Sequence, residues 1–352
     1  MKKIKTGIAG FGISAQVFHA PFLHFHPGYD ITAFLERNKN ESSTLYPYAK
    51  IVRSIDELLN SDTELIVITT PNDTHFDYAS KALNAGKHVV LEKPFTLNTM
   101  EGKELVEISR RSKGVLSVYH NRRYVSDYLT IKSILEKKLL GNVHEFIARY
   151  DRYRFEARPG AWREKPIPGS GILFDLGPHL IDQALSLFGF PQTIYADIRM
   201  QRPHAVTDDY FELWLDYGNL KLSLHAGMLV REMGPRYLIH GDKGSFLKPG
   251  EDPQEALLRK GIMPNQPDWG KEPESAYGII HTQTSSGVIR ETIPSERGNY
   301  MFYYDNLYET IVNGAELKEK PEHGYNTIKI IELALQSHKE GKKIEVTGLI
   351  DV

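Results

Sequence analysis

The chain has 352 residues, enough for two domains that each bury a core of their own. Hydrophobic residues make up 41% and charged residues 25%, as in an ordinary globular protein, and the formal net charge of -2 gives no reason to expect nucleic acid or an anionic membrane as a partner. The sequence contains no cysteine, which excludes disulfides, thiolate catalysis and cysteine-ligated metal sites.

The amino terminus is short and basic, with Lys2, Lys3 and Lys5 ahead of an apolar stretch. That stretch is brief and broken by glycine, so a strand followed by a phosphate loop explains it better than a signal peptide does. No apolar run approaches the ~18 residues of a membrane span. A cytoplasmic enzyme is therefore the default expectation.

The first third of the chain alternates predicted strands with predicted helices. The strands are Ile4–Ala9, Asp30–Leu35, Leu65–Thr69, His88–Leu91 and Val115–Tyr119, and the helices between them include Ile55–Leu59, His75–Ala85 and Thr99–Arg110. Alternation of this kind is typical of parallel βαβ units. We therefore expect an α/β domain with a parallel sheet over residues 1–121, with its boundary near Asn121-Arg122-Arg123.

From residue 122 onward, predicted strands outnumber helices. A helix over Val125–Leu140 comes first, and the strands after it are Val143–Arg152, Thr193–Met200, Tyr210–Tyr217, Leu220–Met228 and Pro235–His240. Mostly antiparallel strands with one or two helices predict an α+β domain over residues 122–352. Gly250–Glu274 is rich in Pro, Gly and charge, which predicts a loop or lid outside the core. Asn326–Glu340 is predicted to be a final amphipathic helix.

A glycine pattern follows the first predicted strand directly. The segment reads Gly10-Phe11-Gly12-Ile13-Ser14-Ala15. Gly10 permits a tight turn, Gly12 lets backbone amides approach a pyrophosphate, and the small Ala15 allows close packing of helix on strand. The first domain is therefore predicted to bind a dinucleotide through this loop, as a Rossmann domain does.

The end of the second predicted strand gives two opposed indications about the cofactor. Glu36 could accept hydrogen bonds from the adenosine ribose, which favours NAD. Arg37 beside it could instead hold a 2′-phosphate, which favours NADP. The expected cofactor is NAD or NADP, with NAD slightly favoured.

Polar and turn-forming residues follow the third long strand at Thr70, Pro71 and Asn72, and we expect them to line the nicotinamide side of the crevice. His75 begins the next helix. A cofactor contact and a local capping or packing role are equally open for it.

The next strand runs straight into Glu92-Lys93-Pro94. Ligands of an open parallel sheet lie beyond the carboxyl ends of its strands. Lys93 is therefore expected to face the same crevice as the cofactor.

The spacing of Asp175, His179 and Asp182 places their side chains on one face of a predicted helix. A histidine with a carboxylate one turn away is a competent general base, and the carboxylate is expected to hold its pKa above the ordinary value of about 6.5. The same trio could instead be a metal site or a buried structural network. Pro178 requires either that the helix begins near Gly177 or that it lacks one backbone hydrogen bond.

Trp162 and Arg163 lie in a glycine- and proline-rich segment just before this helix. Trp162 could anchor a core. Alternatively, the aromatic ring and the adjacent arginine could form a wall over the cofactor, and the two interpretations are equally open.

Together these motifs resemble the Gfo/Idh/MocA family of glucose–fructose oxidoreductases, inositol dehydrogenases and rhizopine-catabolism proteins. The matching residues are Gly10-x-Gly12-x-x-Ala15, Glu92-Lys93-Pro94, and Gly171 leading to Asp175, His179 and Asp182. Phe18 to Leu23 and Trp162-Arg163 further resemble the branch that contains bacterial scyllo-inositol dehydrogenases. Two features depart from the pattern: Pro178 lies inside the Asp/His motif, and Glu36-Arg37 differs from the serine- and arginine-bearing strand end of NADP-preferring members.

The resemblance covers essentially the whole chain. It implies a Rossmann domain followed by a substrate-binding α/β domain, whose large, open, mostly antiparallel sheet commonly forms dimers or tetramers. It also implies reversible hydride transfer between NAD(P) and a hydroxyl of a cyclic polyol such as inositol, or of a sugar. Lys93 and His179 would be the catalytic pair, with Asp175 in support. The further cofactor contacts that it implies are Glu92, Lys93, Asn121, Trp162 and Arg163.

Two rival functions stay open. A glycoside-cleaving enzyme of the same fold would oxidise and re-reduce a sugar on tightly held NAD, and a dinucleotide-sensing regulator would use the fold for binding only. The presence of Lys93 and His179 argues against the regulator, because sensing needs neither. The expected partners are a polyol or sugar and further copies of the chain, in a homodimer or homotetramer formed through the C-terminal sheet. No metal, nucleic acid or membrane partner is expected.

Overall fold

The computed structural model of the protein describes residues 2–157 and 161–352. Its first sheet contains the strands β1 (Ile4–Ala9), β2 (Tyr29–Leu35), β3 (Lys50–Val52), β4 (Leu65–Ile68), β5 (His88–Leu91) and β6 (Leu116–Val118). All neighbours pair in parallel, in the order β3-β2-β1-β4-β5-β6. This is the doubly wound order of a Rossmann domain, as predicted. The short β3 is an addition to the predicted strands.

The helices of this half are α1 (Ala20–Phe25), α2 (Ser42–Leu45), α3 (Ile55–Leu59), α4 (His75–Asn84) and α5 (Thr99–Arg111). A π-helical turn, Ala15–His19, leads into α1, and the N–H of Ala20 bonds to the carbonyl of Ala15. The wider turn lies directly before Pro21, which has no N–H and whose ring would collide with the carbonyl four residues back in an ordinary helix.

Within the described residues, the second sheet has nine strands. They are β7 (Val143–Arg149), β8 (Thr193–Arg199), β9 (Tyr210–Asp216), β10 (Lys221–Gly227), β11 (Tyr237–Gly241), β12 (Gly244–Lys248), β13 (Gly278–Thr284), β14 (Gly287–Ile293) and β15 (Ile344–Glu345). Their order is β14-β13-β12-β11-β7-β10-β9-β8-β15, and every pair is antiparallel except β7 with β10. The large, mostly antiparallel sheet is confirmed, and β12 to β15 extend it beyond the predicted strands.

The remaining helices are α6 (Ser126–Glu136), α7 (Gly171–Phe188), α8 (Gln254–Arg259), α9 (Met301–Asn313) and α10 (Pro321–Glu340). Helices α7 and α10 cover one face of the second sheet, and α10 also packs against α5 of the first. Helix α9 packs into the hydrophobic cluster around β1 through Tyr303, Tyr304 and Leu307. In the part of the chain that the structure describes, no helix is both long and apolar enough to cross a bilayer.

The prediction that Gly250–Glu274 is a loop or lid outside the core is wrong. The segment contains α8, and both Trp269 and Gln254 are buried, with the indole N–H donating to the Gln254 amide oxygen at 3.1 Å. The carboxylate of Glu272 forms an ion pair of 2.7 Å with Lys248, and neither side chain is exposed. Charged residues here are paired in the interior, which composition alone does not reveal.

Helix α7 resolves the alternatives that Pro178 leaves open in the sequence. The helix is continuous from Gly171 to Phe188, so Asp175 lies inside it and Pro178 removes one backbone hydrogen bond. Asp208 lies outside the helix and caps its amino terminus, because its carboxylate accepts the backbone N–H of Leu173 at 2.7 Å. The helix therefore carries Asp175 and His179 together into the space between the two sheets.

Candidate active site

The phosphate loop between β1 and the first helix has the expected shape. Gly10 has a φ of 99°, and a Cβ there would approach the Thr69 hydroxyl to 3.0 Å. A Cβ on Gly12 would meet no atom within 4 Å, so the loop faces open space at the helix amino terminus. These features fit a dinucleotide pyrophosphate.

The other loop residues have different roles. The Phe11 ring turns inward and packs edge-on against Phe34 at 5.0 Å, so only its backbone can reach a ligand. Ile13 is 60% exposed, whereas Ala15 is fully buried where the helix packs on the sheet. Ser14 donates its hydroxyl to Glu92, which ties the loop to the strand end that carries Lys93.

Glu92 is a structural anchor beneath the crevice. Besides Ser14, its carboxylate contacts His19 Nε2 at 2.9 Å and accepts the backbone N–H of Lys93 at 2.9 Å. Burial alone would raise the pKa of Glu92, but the hydrogen bond with His19 and the charge of Lys93 lower it to about 2. Glu92 is therefore ionised and fixes the turn before Pro94. His19, whose other ring nitrogen lies 2.6 Å from the Tyr304 hydroxyl, is a contributor that the glycine motif does not indicate.

At the end of β2, the Glu36 carboxylate has partners within the protein. Its carboxylate accepts the backbone N–H groups of Glu41 and Ser42, each at 2.9 Å, and the Ser42 hydroxyl as well. Both oxygens are thus engaged at the start of α2, and the side chain is buried. Arg37 is exposed, and its guanidinium has no hydrogen bond or ion pair with the described residues.

Thr70, Pro71 and Asn72 form the turn after β4, next to the phosphate loop. The Thr70 hydroxyl lies 2.6 Å from that of Thr74, and Pro71 is exposed at the start of a short 3₁₀ helix. The amide of Asn72 donates to the carbonyl of Gly169 at 3.2 Å, so this turn is tied to the segment that leads into α7.

His75 has a packing role in the structure. It is buried, with Nδ1 lying 2.7 Å from the carbonyl oxygen of Pro94 and Nε2 lying 3.1 Å from that of Thr70. Burial lowers its pKa. The imidazole is therefore a neutral bridge that holds the Lys93-Pro94 turn against the turn after β4.

Lys93 extends from the carboxyl end of β5 to α7. Its ammonium donates to the carbonyl oxygen of Asp175 at 2.7 Å and lies 3.3 Å from that residue's Oδ1, to which Arg163 Nε also donates at 2.9 Å. Burial would raise the pKa of Asp175, but the charges of Lys93 and Arg163 lower it to about 2. The ionised Asp175 holds the lysine in place. An ammonium has three donors, so one remains for a substrate oxygen.

His179 is buried, and neither carboxylate of the helical trio is its partner. Arg123 donates to both oxygens of Asp182, at 2.7 and 2.9 Å, while Asp175 is held by Lys93. The Nδ1 atom of His179 has no hydrogen bond partner among the described residues. Spacings of four and three residues thus place the three side chains on one helix face, but the two carboxylates pair with Lys93 and Arg123 and not with His179.

The expectation that the pKa of His179 lies above 6.5 is wrong. Burial is the largest cause that lowers this pKa well below its ordinary value, and the positive charges of Lys93 and Arg122 follow. The nearby carboxylates do not offset these charges because both are already paired with cations. His179 is therefore a neutral imidazole at physiological pH.

Arg122 and Arg236 reach the site from separate elements, and no local motif indicates them. Arg122 donates to the Tyr300 hydroxyl at 2.9 Å and to Glu255 on α8. Arg236 stacks on the ring of Tyr150, 3.1 Å from its centroid. Their positions become apparent only when the second sheet, α8 and α9 are assembled.

Asn121 and Trp162 are the remaining expected cofactor contacts. Asn121 is buried at the start of a 3₁₀ helix after β6. The side chain of Trp162 lies outside the described part of the structure, so its contact with the cofactor stays a prediction.

Within residues 2–157 and 161–352, no group of three or more His, Asp or Glu side chains is arranged to hold a metal ion.

Two models of the Gfo/Idh/MocA family match the chain. The one described as oxidoreductase family, NAD-binding Rossmann fold, matches residues 4–120. The one described as oxidoreductase family, C-terminal alpha/beta domain, matches residues 132–346.

Full-length relatives and solved structures agree with these matches. Scyllo-inositol 2-dehydrogenase (NADP(+)) IolW of Bacillus subtilis is 42% identical over 342 residues, which cover 97% of this chain and 95% of the relative. The structure of yvaA from Bacillus subtilis is similar with a TM-score of 0.95 at 41% identity, covering 98% of this chain and 99% of the other. A structure from Bacteroides fragilis is similar with a TM-score of 0.90 at 42% identity, covering 98% of this chain and 100% of the other.

The protonation state of His179 can be tested without measuring turnover. In a pH titration followed by NMR of isotope-labelled histidine, its imidazole should stay neutral to well below pH 6.5, because burial and the charge of Lys93 oppose protonation. Lys93→Met should move the titration to higher pH. The matched control Lys103→Met, at an exposed position on α5, should leave it unchanged. A midpoint above 6.5 in the wild type would contradict the assignment of charges around His179.

Proposed function

The chain belongs to the Gfo/Idh/MocA family of oxidoreductases, and on that premise we propose that it transfers a hydride between NADP and a hydroxyl of a cyclic polyol or sugar. The observation that carries the proposal is the lysine at the carboxyl end of β5, held by Asp175 with one N–H to spare, beside the neutral His179. The relative from Bacillus subtilis is named a scyllo-inositol 2-dehydrogenase, which supports a polyol as substrate.

The roles follow from the state of each side chain. The neutral imidazole of His179 accepts the proton of the substrate hydroxyl. The ammonium of Lys93 donates a hydrogen bond to the same oxygen and stabilises the negative charge that develops on it. Asp175 acts through Lys93, whose position it fixes. When bound, the nicotinamide supplies the hydride acceptor, and the protein supplies position and electrostatics.

The low pKa of His179 suits this division of work. The imidazole is a weak base, but it is in its neutral, proton-accepting form throughout the physiological range. The cations that lower its pKa, Lys93 and Arg122 foremost, also favour an anionic oxygen at the same place. Proton transfer to His179 is therefore assisted by stabilisation of the alkoxide rather than by a strong base.

The preference for NADP rests on the end of β2. The expectation that NAD is slightly favoured depends on Glu36 reaching the ribose, and that carboxylate is engaged with Glu41 and Ser42 instead. Arg37 is exposed and without a partner among the described residues, so its guanidinium is available for a 2′-phosphate. The same preference is printed in the name of the relative IolW.

The uncovered face of the second sheet supports an oligomer. Opposite to α7 and α10, Tyr195 stacks on Trp214 with ring centroids 5.2 Å apart, and Lys221 lies 5.4 Å above the indole. Ile147 and Leu238 are partly exposed on neighbouring strands of this sheet. We propose that copies of the chain pair through this face.

Lys93→Met should lower kcat for polyol oxidation by on the order of 10²–10⁴, because the substrate oxygen loses its positive partner. NADPH binding, followed by fluorescence, should stay within about twofold of the wild type, since the lysine contacts the reacting oxygen and not the phosphates. Lys103→Met is the matched control. A Lys93→Met enzyme with normal turnover would contradict the catalytic role.

Arg37→Ala should lower kcat/KM with NADP by about 10- to 100-fold, the usual contribution of a charge-assisted hydrogen bond. The kcat/KM with NAD should change far less, because NAD has no 2′-phosphate for Arg37 to contact. Lys113→Ala, at the opposite end of the sheet, serves as the control. An unchanged ratio of the two efficiencies would show that Arg37 does not contact the cofactor.

Trp214→Glu should convert the oligomer to monomers, because it places an unpaired charge on the proposed contact face. Sedimentation velocity measures the outcome directly. Met100→Glu, on the exposed surface of α5, should leave the mass unchanged. A monomeric wild type, or an oligomer indifferent to Trp214→Glu, would contradict this face as the interface.

A further inference from the structure

Arg152 is a cation without a counter-ion near the crevice. It follows β7 in an extended segment whose backbone is fixed, since its N–H donates to Gly227 at 2.9 Å and its carbonyl accepts from Val230 at 3.1 Å. The side chain is half-buried. Its guanidinium has no hydrogen bond or ion pair with any of the described residues.

The direction of Arg152 follows from its place in the extended segment. Alternate residues point to the same side, so Arg152 shares the side of Tyr150. The Tyr150 ring lies 6.5 Å from the ring of His179. The negative charge that acts most strongly on Arg152 is that of Asp175, the residue that holds Lys93. Both observations place the guanidinium on the reacting side of the crevice.

The carboxylates around Arg152 are already engaged by other cations. Asp175 contacts Lys93 and Arg163, as described above. Glu255 pairs with Arg122, and Glu251 pairs with Arg236 at 2.9 Å. The crevice therefore contains an excess of positive charge at this point.

A guanidinium partly withdrawn from water without a protein partner is unfavourable, and burial lowers the pKa of Arg152 accordingly. A ligand that brings a negative charge removes this cost. The planar guanidinium donates two parallel hydrogen bonds to a carboxylate or a phosphate, a geometry that uncharged hydroxyls do not match.

We propose that Arg152 forms an anion-binding subsite, and that the substrate is an acidic sugar or polyol whose carboxylate or phosphate lies away from the hydroxyl that is oxidised. The inference rests on the proposed function for the identity of the reacting group. It adds the charge of the substrate, which neither the fold nor the Lys93–His179 pair determines.

The test compares three sugars that differ only at one end: D-glucose, D-glucuronate and D-glucose 6-phosphate. Each is titrated by calorimetry into enzyme saturated with NADPH, so that binding is measured without turnover. At least one acidic sugar should bind about 10- to 100-fold more tightly than glucose. The glucuronate and phosphate arms show which anion the subsite takes.

Arg152→Met should remove the advantage of the acidic sugar while leaving glucose binding within about threefold, and Arg152→Lys should retain part of it. Arg231→Met, an exposed arginine that stacks on Tyr153, is the control and should change nothing. The inference is contradicted if neither acidic sugar binds more tightly than glucose, or if Arg152→Met weakens all three sugars equally. An enzyme that oxidises no polyol or sugar would contradict the proposed function, while the binding comparison would still decide the role of Arg152.

Discussion

The contact between Lys93 and Asp175 joins the two halves of the crevice, and the site depends on it. Lys93 comes from the carboxyl end of a strand in the Rossmann sheet, and Asp175 comes from the helix that covers the second sheet. Glu92 and His75 fix the turn on one side, and Arg163 fixes the carboxylate on the other. Because the lysine is held from both sides, its remaining N–H has a defined direction, which the proposed contact with the reacting oxygen requires.

The distribution of charge around this contact explains the state of His179. Each carboxylate near the histidine is paired with a cation, so the uncompensated charges that act on the imidazole are positive. The same arrangement leaves Arg152 without a counter-ion. In the proposed reaction, this one electrostatic feature keeps the base neutral, favours an anionic oxygen in the transition state and selects a substrate that carries negative charge of its own.

The sequence predicts the fold and the site unequally, for physical reasons. Continuous apolar runs locate β1 and β5, because strands in the middle of a parallel sheet are buried on both faces, and a helical period locates α7. Side-chain partners are not encoded in this way. Glu36 is at the expected strand end, but its carboxylate accepts a hydrogen bond from Ser42, six residues later. His179 is on the expected helix face, but Asp182 accepts its hydrogen bonds from Arg123, which precedes α6. Likewise, the polar composition of Gly250–Glu274 conceals a buried ion pair.

The most direct test of the central claim is the pH dependence of single-turnover hydride transfer, followed by the absorbance of the reduced nicotinamide, in the wild type and in His179→Gln. A histidine whose pKa is lowered is neutral above that pKa, so the wild-type rate should not rise through pH 6.5, about the ordinary histidine value. His179→Gln should lower the rate at every pH. A wild-type rate that rises through 6.5, or a His179→Gln enzyme with the full rate, would contradict the account.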